Sequence, residues 1–223
     1  MKTTVILPCW VIDNTLLQFT MRCIESIRET SDAHIIIVDN GSTLGKDYMW
    51  ENADTYVRNH ENLGYVRAIN QGMSLARTPY IVAGNNDYEM KPGWEKVLQD
   101  CLDNPKCGTI SFRNQECMEK GQLFTEGTPG GWWMIKYETV QKLGLLDEQF
   151  FNTFADFDYC WRMKMSFGLE TYSTTDLIVN HYKEASLSKD SNRKAEWEKG
   201  MELILGKWGS DEKAMNFLSR RWM

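Results

Sequence analysis

No stretch of this chain is apolar over the ~20 residues a helix needs to cross a bilayer, so no transmembrane helix is expected. The opening MKTTVILPCW has a short apolar run and no small-residue cleavage site, which argues against a signal peptide; its TVIL reads as a buried strand. Six cysteines (9, 23, 101, 107, 117 and 160) form no Cys-x-x-Cys pair and have no nearby histidine. Structural zinc is therefore disfavoured. A disulfide framework is not expected in a chain of 223 residues, and reduced thiols in a cytoplasmic setting are the reading. Positive charge is in deficit. A formal net charge of −6 argues against stable, broad nucleic-acid binding, which needs many phosphates neutralised, but leaves room for a local basic site. Neither a GxGxxG turn nor a P-loop is present, so a Rossmann dehydrogenase or an ATPase has little support. Internal repeats and low-complexity segments are missing too.

What is present is 42% hydrophobic residues, enough for one full-sized core with a small appendage. Nine tryptophans serve either core packing or stacking on rings and sugars. The first part of the chain alternates strand-like and helix-like segments. TTVILP (3–8) is a β-branched run. NTLLQFTMRCIESIRET (14–30) places Leu17, Met21, Ile24 and Ile27 at helical spacing. AHIIIVDNGST (33–43) is a continuous apolar strand ending in a polar turn, and TYVRN (55–59) is a short strand. GYVRAINQGMSLAR (64–77) reads as a helix and PYIVAGNNDYE (79–89) as a strand. This grammar is that of a mostly parallel α/β sheet, in which ligands sit beyond the carboxyl ends of the strands. Asp39, Asn40, the Asn85–Asn86–Asp87 group and the Pro8–Cys9–Trp10 turn all fall at such ends.

Further on, 93–104 reads as a helix, 107–114 as a strand, 121–131 as a loop with strand character, and 131–144 as a strand running into a short helix. Residues 157–168 have helical spacing with Gly168 as C-cap, and 169–182 return as strand. Two charged helical pieces, 191–208 and 211–223, close the chain. The expected organisation is a catalytic domain over 1–186 and a helical C-terminal extension over 187–223. That extension mixes apolar, aromatic and basic residues. It suits packing on the domain, a homodimer contact, or peripheral contact with the cytoplasmic face of a membrane.

Three constellations carry chemistry. NNDYE (85–89), after an apolar strand, offers Asp87 and Asn85 as oxygen ligands for a hard divalent cation; the same residues suit an ordinary Asn–Asp turn. VDNGST (38–43) with NLGYVRAINQG (62–72) places Asp39 where it can accept from a nucleobase N–H. Gly64 there permits close backbone approach ahead of a helix, and ordinary strand-to-helix turns look the same. FADFDYCWRMK (154–164) packs Asp156, Asp158, Arg162 and Lys164 among aromatics. A carboxylate against an apolar wall keeps basicity toward a hydroxyl, and a solvated helix face would show the same residues. His181, alone after an apolar strand, fits a structural hydrogen bond or a ligand.

Taken in order, these blocks resemble the family 2 glycosyltransferases of the GT-A fold, and their rhamnosyltransferase-like branch in particular. The matching segments are VILPCW, VDNGS, NLGYVRAINQG, NNDYE with PGW behind it, GGWWMI, GLLDEQFF, ADFDYCWR and HYKEAS, spanning about residues 3–186. The resemblance implies a mostly parallel, Rossmann-like central sheet flanked by helices, and an inverting transfer of a sugar from a nucleotide-diphosphate sugar to an acceptor hydroxyl. It further implies that Pro8, Trp10, Asp39, Asn62, Gly64, Arg67 and Asn86 bind the nucleotide-sugar. Asp87, with Asn85 and His181, would hold Mn²⁺ or Mg²⁺. Gly130, Gly131, Trp132, Trp133, Asp158 and Arg162 would line the donor and acceptor side, one tryptophan stacking on sugar and the other facing the core. Asp156 falls at the position of the catalytic base.

The acceptor would be a carbohydrate or another hydroxyl compound. Two positions depart from the family's pattern: Asn85 stands where Asp is usual, and Ala155 where Glu precedes the base. A non-catalytic nucleotide-sugar-binding protein of the same fold, and a nucleotidyltransferase, are the rival readings.

Overall fold

The computed structural model describes residues 2–112, 123–126, 128–176, 179–182 and 193–219. The first half runs β1 (Thr3–Cys9), α1 (Asn14–Thr30), β2 (His34–Asn40), α2 (Lys46–Asn52), β3 (Thr55–Asn59), α3 (Tyr65–Leu75), β4 (Tyr80–Gly84), β5 (Tyr88–Glu89) and α4 (Trp94–Leu102). There follow β6 (Cys107–Phe112), β7 (Leu123–Glu126), β8 (Trp132–Lys136), α5 (Tyr137–Leu143), α6 (Ala155–Phe167), β9 (Glu170–Thr174), β10 (Asn180–His181), α7 (Arg193–Trp208) and α8 (Glu212–Ser219).

Eight strands form one sheet in the order β3-β2-β1-β4-β8-β6-β9-β7, and β5 pairs with β10 in a separate two-stranded sheet. β3, β2, β1 and β4 are mutually parallel, as are β6 and β9; β8 runs antiparallel between β4 and β6. The continuous apolar runs of β1 and β2 follow from burial on both faces. One core packs α3, α6, α7 and α8 on one face, around Ile6, Ile36, Val66, Phe157, Ile204 and Phe217. The other packs α1 and α4 on the opposite face, around Val5, Leu7, Ile24, Ile27, Trp94 and Leu98.

α1 shows how local chemistry sets an element. Asp13 accepts the Leu16 N–H at 2.9 Å, a cap worth about 1 kcal/mol. Its buried face is Leu16, Thr20, Cys23, Ile24 and Ile27. Leu17 and Met21, expected on that face, are half-buried instead. Leu17 packs over Gly45 at the entry to α2, a helix the sequence pattern did not reveal. The strand expected over 79–89 is two: β4 stops at Gly84, and Asn85 to Asp87 turn the chain into β5. The strand expected over 169–182 is likewise two, β9 and β10. Gly168 does adopt the left-handed C-cap geometry that its position predicted (φ 68°).

The residues expected to continue the motif after Tyr182, and the last four residues of the chain, lie outside the described residues. Among the described residues, no helix is long and apolar enough to cross a membrane.

Candidate active site

In an open α/β sheet the ligand crevice lies beyond the carboxyl ends of the strands, where the strand order reverses. Here that point falls between β1 and β4. Their pairing ends at Ile6↔Ala83, and Pro8, which has no N–H to offer, comes after the last pair. Trp10 follows directly and is half-buried. The turn after β1 is tied to the turn after β2, since the Val11 N–H donates to Ser42 Oγ at 2.9 Å.

On the β4 side, Asp87 is only 6% exposed. β5 and β10 pair His181 with Tyr88, so the imidazole stacks on the Tyr88 ring (centroids 4.0 Å apart) and comes within 3.5 Å of Asp87 Oδ1. Among the described residues, neither Asp87 Oδ1 nor His181 Nε2 has a hydrogen-bond partner, although both atoms are buried. Buried polar atoms left so are costly, at about 1–3 kcal/mol each. Two of them converging, one carboxylate oxygen and one imidazole nitrogen, form a donor pair that fits a divalent cation whose remaining positions are filled by ligand or water oxygens. Among the described residues, no group of three or more such side chains occurs.

The neighbouring amides have structural duties. Asn86 Nδ2 donates to Thr20 Oγ1 at 2.7 Å. The Asn85 N–H donates to Gly131 O at 2.7 Å, and its side chain fills the space beside Gly131: a Cβ there would stand 2.6 Å from the Asn85 amide nitrogen. Gly131 is thus required by close packing against the Asn85–Asp87 turn, while Gly130 beside it is exposed with φ 76°.

At the end of β2, Asp39 is fully buried and has no face to offer a ligand. Its Oδ1 accepts the Ser42 N–H at 2.8 Å; its Oδ2 accepts the Tyr56 hydroxyl at 2.5 Å and the Arg58 guanidinium. Burial, then the bond to Asp39, raises the Tyr56 phenol to about 12. Arg58, whose side chain is 36% exposed, is the most exposed group of this trio, Tyr56 being half-buried. Sequence reasoning missed Tyr56 and Arg58. The signal was there in the two-residue period of β3, which puts both on one face, the face Asp39 shares because Arg58 is in register with it.

Asn62 Oδ1 accepts from Asn40 Nδ2 at 2.8 Å and from the Gly64 N–H at 2.9 Å. Gly64 (φ 85°) is approached by the protein's own Phe151, since a Cβ would lie 2.6 Å from its carbonyl oxygen. Arg67 is exposed, 3.6 Å from Glu148.

Both Trp132 and Trp133 are 1% exposed, which corrects the expectation that one stacks on sugar. Adjacent strand residues do face opposite ways, but β8 is covered on both faces. Trp132 packs edge-on against Trp94 in one core, and Trp133 against Tyr159 in the other.

α6 is preceded by Phe154 with φ 68°, the one non-glycine residue with positive φ among those described, a conformation costing roughly 1–3 kcal/mol. Asp156, in the first turn, is half-buried, and its Oδ1 accepts the Phe157 N–H at 3.0 Å. Two residues on a helix differ by roughly 200°, so Asp158 faces away from Asp156. Asp158 is fully buried, bonded by Arg162 Nε (2.9 Å) and Trp208 Nε1 (2.9 Å), with Lys207 Nζ at 2.7 Å. Asp158 and Arg162 therefore do not line the Asp156 side; Asp158 anchors α7, and Arg162 ties Asp158 to the Leu143 and Leu145 carbonyls. Ala155, where a Glu was expected, is 1% exposed in the core, a position that would bury a charge.

Two phenols, Tyr88 and the half-buried Tyr65, feel the charges of the two acids. Tyr88 is raised well above its ordinary value by burial, then by the Asp87 charge and by Tyr65. Tyr65 is raised by burial and further by Asp156.

The family model for glycosyl transferase family 2 matches residues 4–164, and the chain belongs to that family. No curated protein sequence matches it. Among solved structures it is similar to a mannosyltransferase, PcManGT, from Pyrobaculum calidifontis in complex with GDP-Man and Mn²⁺, at TM-score 0.70 and 15% identity, covering 92% of this chain. This chain spans 64% of that protein's length. It is also similar to S. aureus TarS 1-349 (TM-score 0.69, 11% identity, covering 100% of this chain and 71% of that one). GalNAc-T7 with UDP, GalNAc and Mn²⁺ is similar at TM-score 0.66 and 13% identity, over 81% of this chain and 44% of that one. At these identities the likeness establishes a GT-A fold.

Proposed function

We propose that this protein transfers a sugar from a nucleotide-diphosphate sugar to an acceptor hydroxyl with inversion at the anomeric carbon. The observation that carries the reading is a pair of buried atoms, Asp87 Oδ1 and His181 Nε2, that lack a hydrogen-bond partner among the described residues and converge at the carboxyl end of β4. Asp87 and His181 would hold a divalent cation, and the imidazole favours Mn²⁺ over Mg²⁺, which prefers oxygen ligands throughout. When bound, such an ion supplies positive charge against the negative charge of the departing diphosphate. The Mn²⁺ present with similar folds supports this assignment.

The chain's own residues do the rest. Arg58, held by Asp39 and Tyr56, presents guanidinium donors to the acceptor atoms of the base, while Trp10 and Pro8 flank the crevice and Arg67 stands at its α3 side. Asp156 accepts the proton of the acceptor hydroxyl as its oxygen attacks the anomeric carbon and the bond to the diphosphate breaks. Direct attack needs one carboxylate and no covalent sugar–enzyme intermediate.

The test is a panel of nucleotide-sugars, each assayed by thermal shift and by release of nucleoside diphosphate, with and without Mn²⁺. A donor that stabilises the protein and turns over only with metal is expected. Binding without turnover for every donor and acceptor supports the non-catalytic alternative, and absence of any nucleotide binding overturns both.

A further inference from the structure

We infer that α7, which lies beyond the family match at residues 4–164, is a positioning element for the base: Glu196 and Gly200 fix the turn that aims Asp156. This rests on the role of Asp156 proposed above. The chain from Asp147 to Asp158 forms an arc with Phe154 and Asp156 near its far end, and one face of α7 holds the arc at both ends and in the middle.

At the ends, Lys207 Nζ lies 2.9 Å from Asp147 Oδ2 and 2.7 Å from Asp158 Oδ1. Trp208 Nε1 donates to the same Asp158 oxygen. In the middle, Asn152 Nδ2 donates to Glu196 Oε2 at 2.6 Å, while Asn152 Oδ1 accepts the Tyr65 N–H at 2.9 Å, so one amide joins α7 to the start of α3. At the strained residue itself, the Phe154 ring packs against Trp197 with centroids 5.8 Å apart. A Cβ on Gly200 would stand 2.8 Å from Phe154 Cδ2 and 2.9 Å from Thr153 Oγ1.

Glu196, Gly200, Ile204 and Lys207 recur at the three- and four-residue spacing of one helix face. Ile204 on that face is fully buried, and α8 adds Ala214, Phe217 and Leu218 to the same core. Apolar packing would be enough to dock the extension. The directed polar contacts to the arc, and the glycine where the turn passes, serve the turn's geometry.

The experiment compares Glu196→Ala, Glu196→Gln and Gly200→Val with the full-length wild type. Amide hydrogen exchange is followed over 152–158, with kcat, donor KM and Mn²⁺–nucleotide affinity measured in parallel. In Glu196→Ala, exchange at 154–158 rises and kcat falls about tenfold or more, since small misplacements of a reacting group cost that much, while nucleotide affinity holds within about twofold. Glu196→Gln, which keeps an acceptor oxygen for Asn152, restores both, and Gly200→Val reproduces the loss.

Unchanged exchange at 154–158 in Glu196→Ala overturns the inference whatever the activity. So does a loss of kcat that Gln does not rescue, or that tracks lost nucleotide affinity. A wild type that transfers no sugar fails the glycosyltransferase reading instead, and the exchange measurement still decides whether α7 holds the turn.

Discussion

Asp87 Oδ1 and His181 Nε2 face each other across 3.5 Å at the β5–β10 pair, both buried and neither hydrogen-bonded among the described residues. With Asn85 in place of a second acid, the proposed site carries a single carboxylate among the described residues. Mn²⁺ should therefore bind weakly alone and tightly once a nucleoside diphosphate adds its oxygens. Titration of Mn²⁺ by electron paramagnetic resonance, with and without nucleotide, measures this. Asp87→Ala and His181→Ala should each abolish the nucleotide-dependent gain; a gain retained in both variants would mean the cation sits elsewhere.

The two aspartates of α6 should separate cleanly by stability. Asp158 is fully buried against Arg162, Lys207 and Trp208. Removing one partner of a buried ion pair costs about 3–5 kcal/mol, so Asp158→Ala should lose stability on that scale in urea unfolding. Asp156→Asn should change it by less than about 1 kcal/mol. Equal stability of the two variants would contradict the assignment of faces.

Much of this was legible in the sequence, and its limits are physical. α1 and β3 have the bounds their patterns indicate, because helical spacing and a β-branched run leave little ambiguity. α2 escaped because it has one buried residue, Met49, and no side-chain cap at its start. The break after Gly84 escaped because apolar residues continue on either side of the turn. The order of motifs pointed to Asp87, His181 and Asp156. The opposed faces of Asp156 and Asp158 follow from the helical repeat alone. The Asp39–Arg58 pairing needed strand register, and the anchoring of Asp158 by Lys207 and Trp208 needed the tertiary fold.

Arg58 should govern nucleotide affinity more directly than Asp39, because Arg58 is reachable and Asp39 is not. A hydrogen bond to a charged group is worth about 1.5–3 kcal/mol, so Arg58→Met should weaken nucleotide binding by roughly ten- to a hundredfold in calorimetry. Tyr56→Phe and Asp39→Asn, which loosen Arg58, should weaken it less. Unaltered affinity in Arg58→Met would remove it from the base site.

Asp54 provides a pH test of the fold itself. Burial would raise its carboxyl, but the Ile35 N–H (2.7 Å) and Arg28 (2.9 Å) outweigh burial and hold it below its ordinary value of 3.8. A carboxylate depressed in the folded state stabilises above its unfolded pKa, and that contribution is lost as pH falls through the lower folded value. The gap in Tm between wild type and Asp54→Asn should thus be full above about pH 5 and close in stronger acid. A gap that widens on acidification would contradict the pairing.

The most direct measurement sets Asp156→Asn beside wild type, with sugar transfer and Mn²⁺–nucleotide affinity determined on the same preparations. General-base catalysis contributes about 10²–10⁴-fold. The variant should lose transfer on that scale while binding metal and nucleotide as wild type does. Near-normal transfer, or binding lost together with transfer, would contradict a division of labour between Asp87 with His181 on one side and Asp156 on the other.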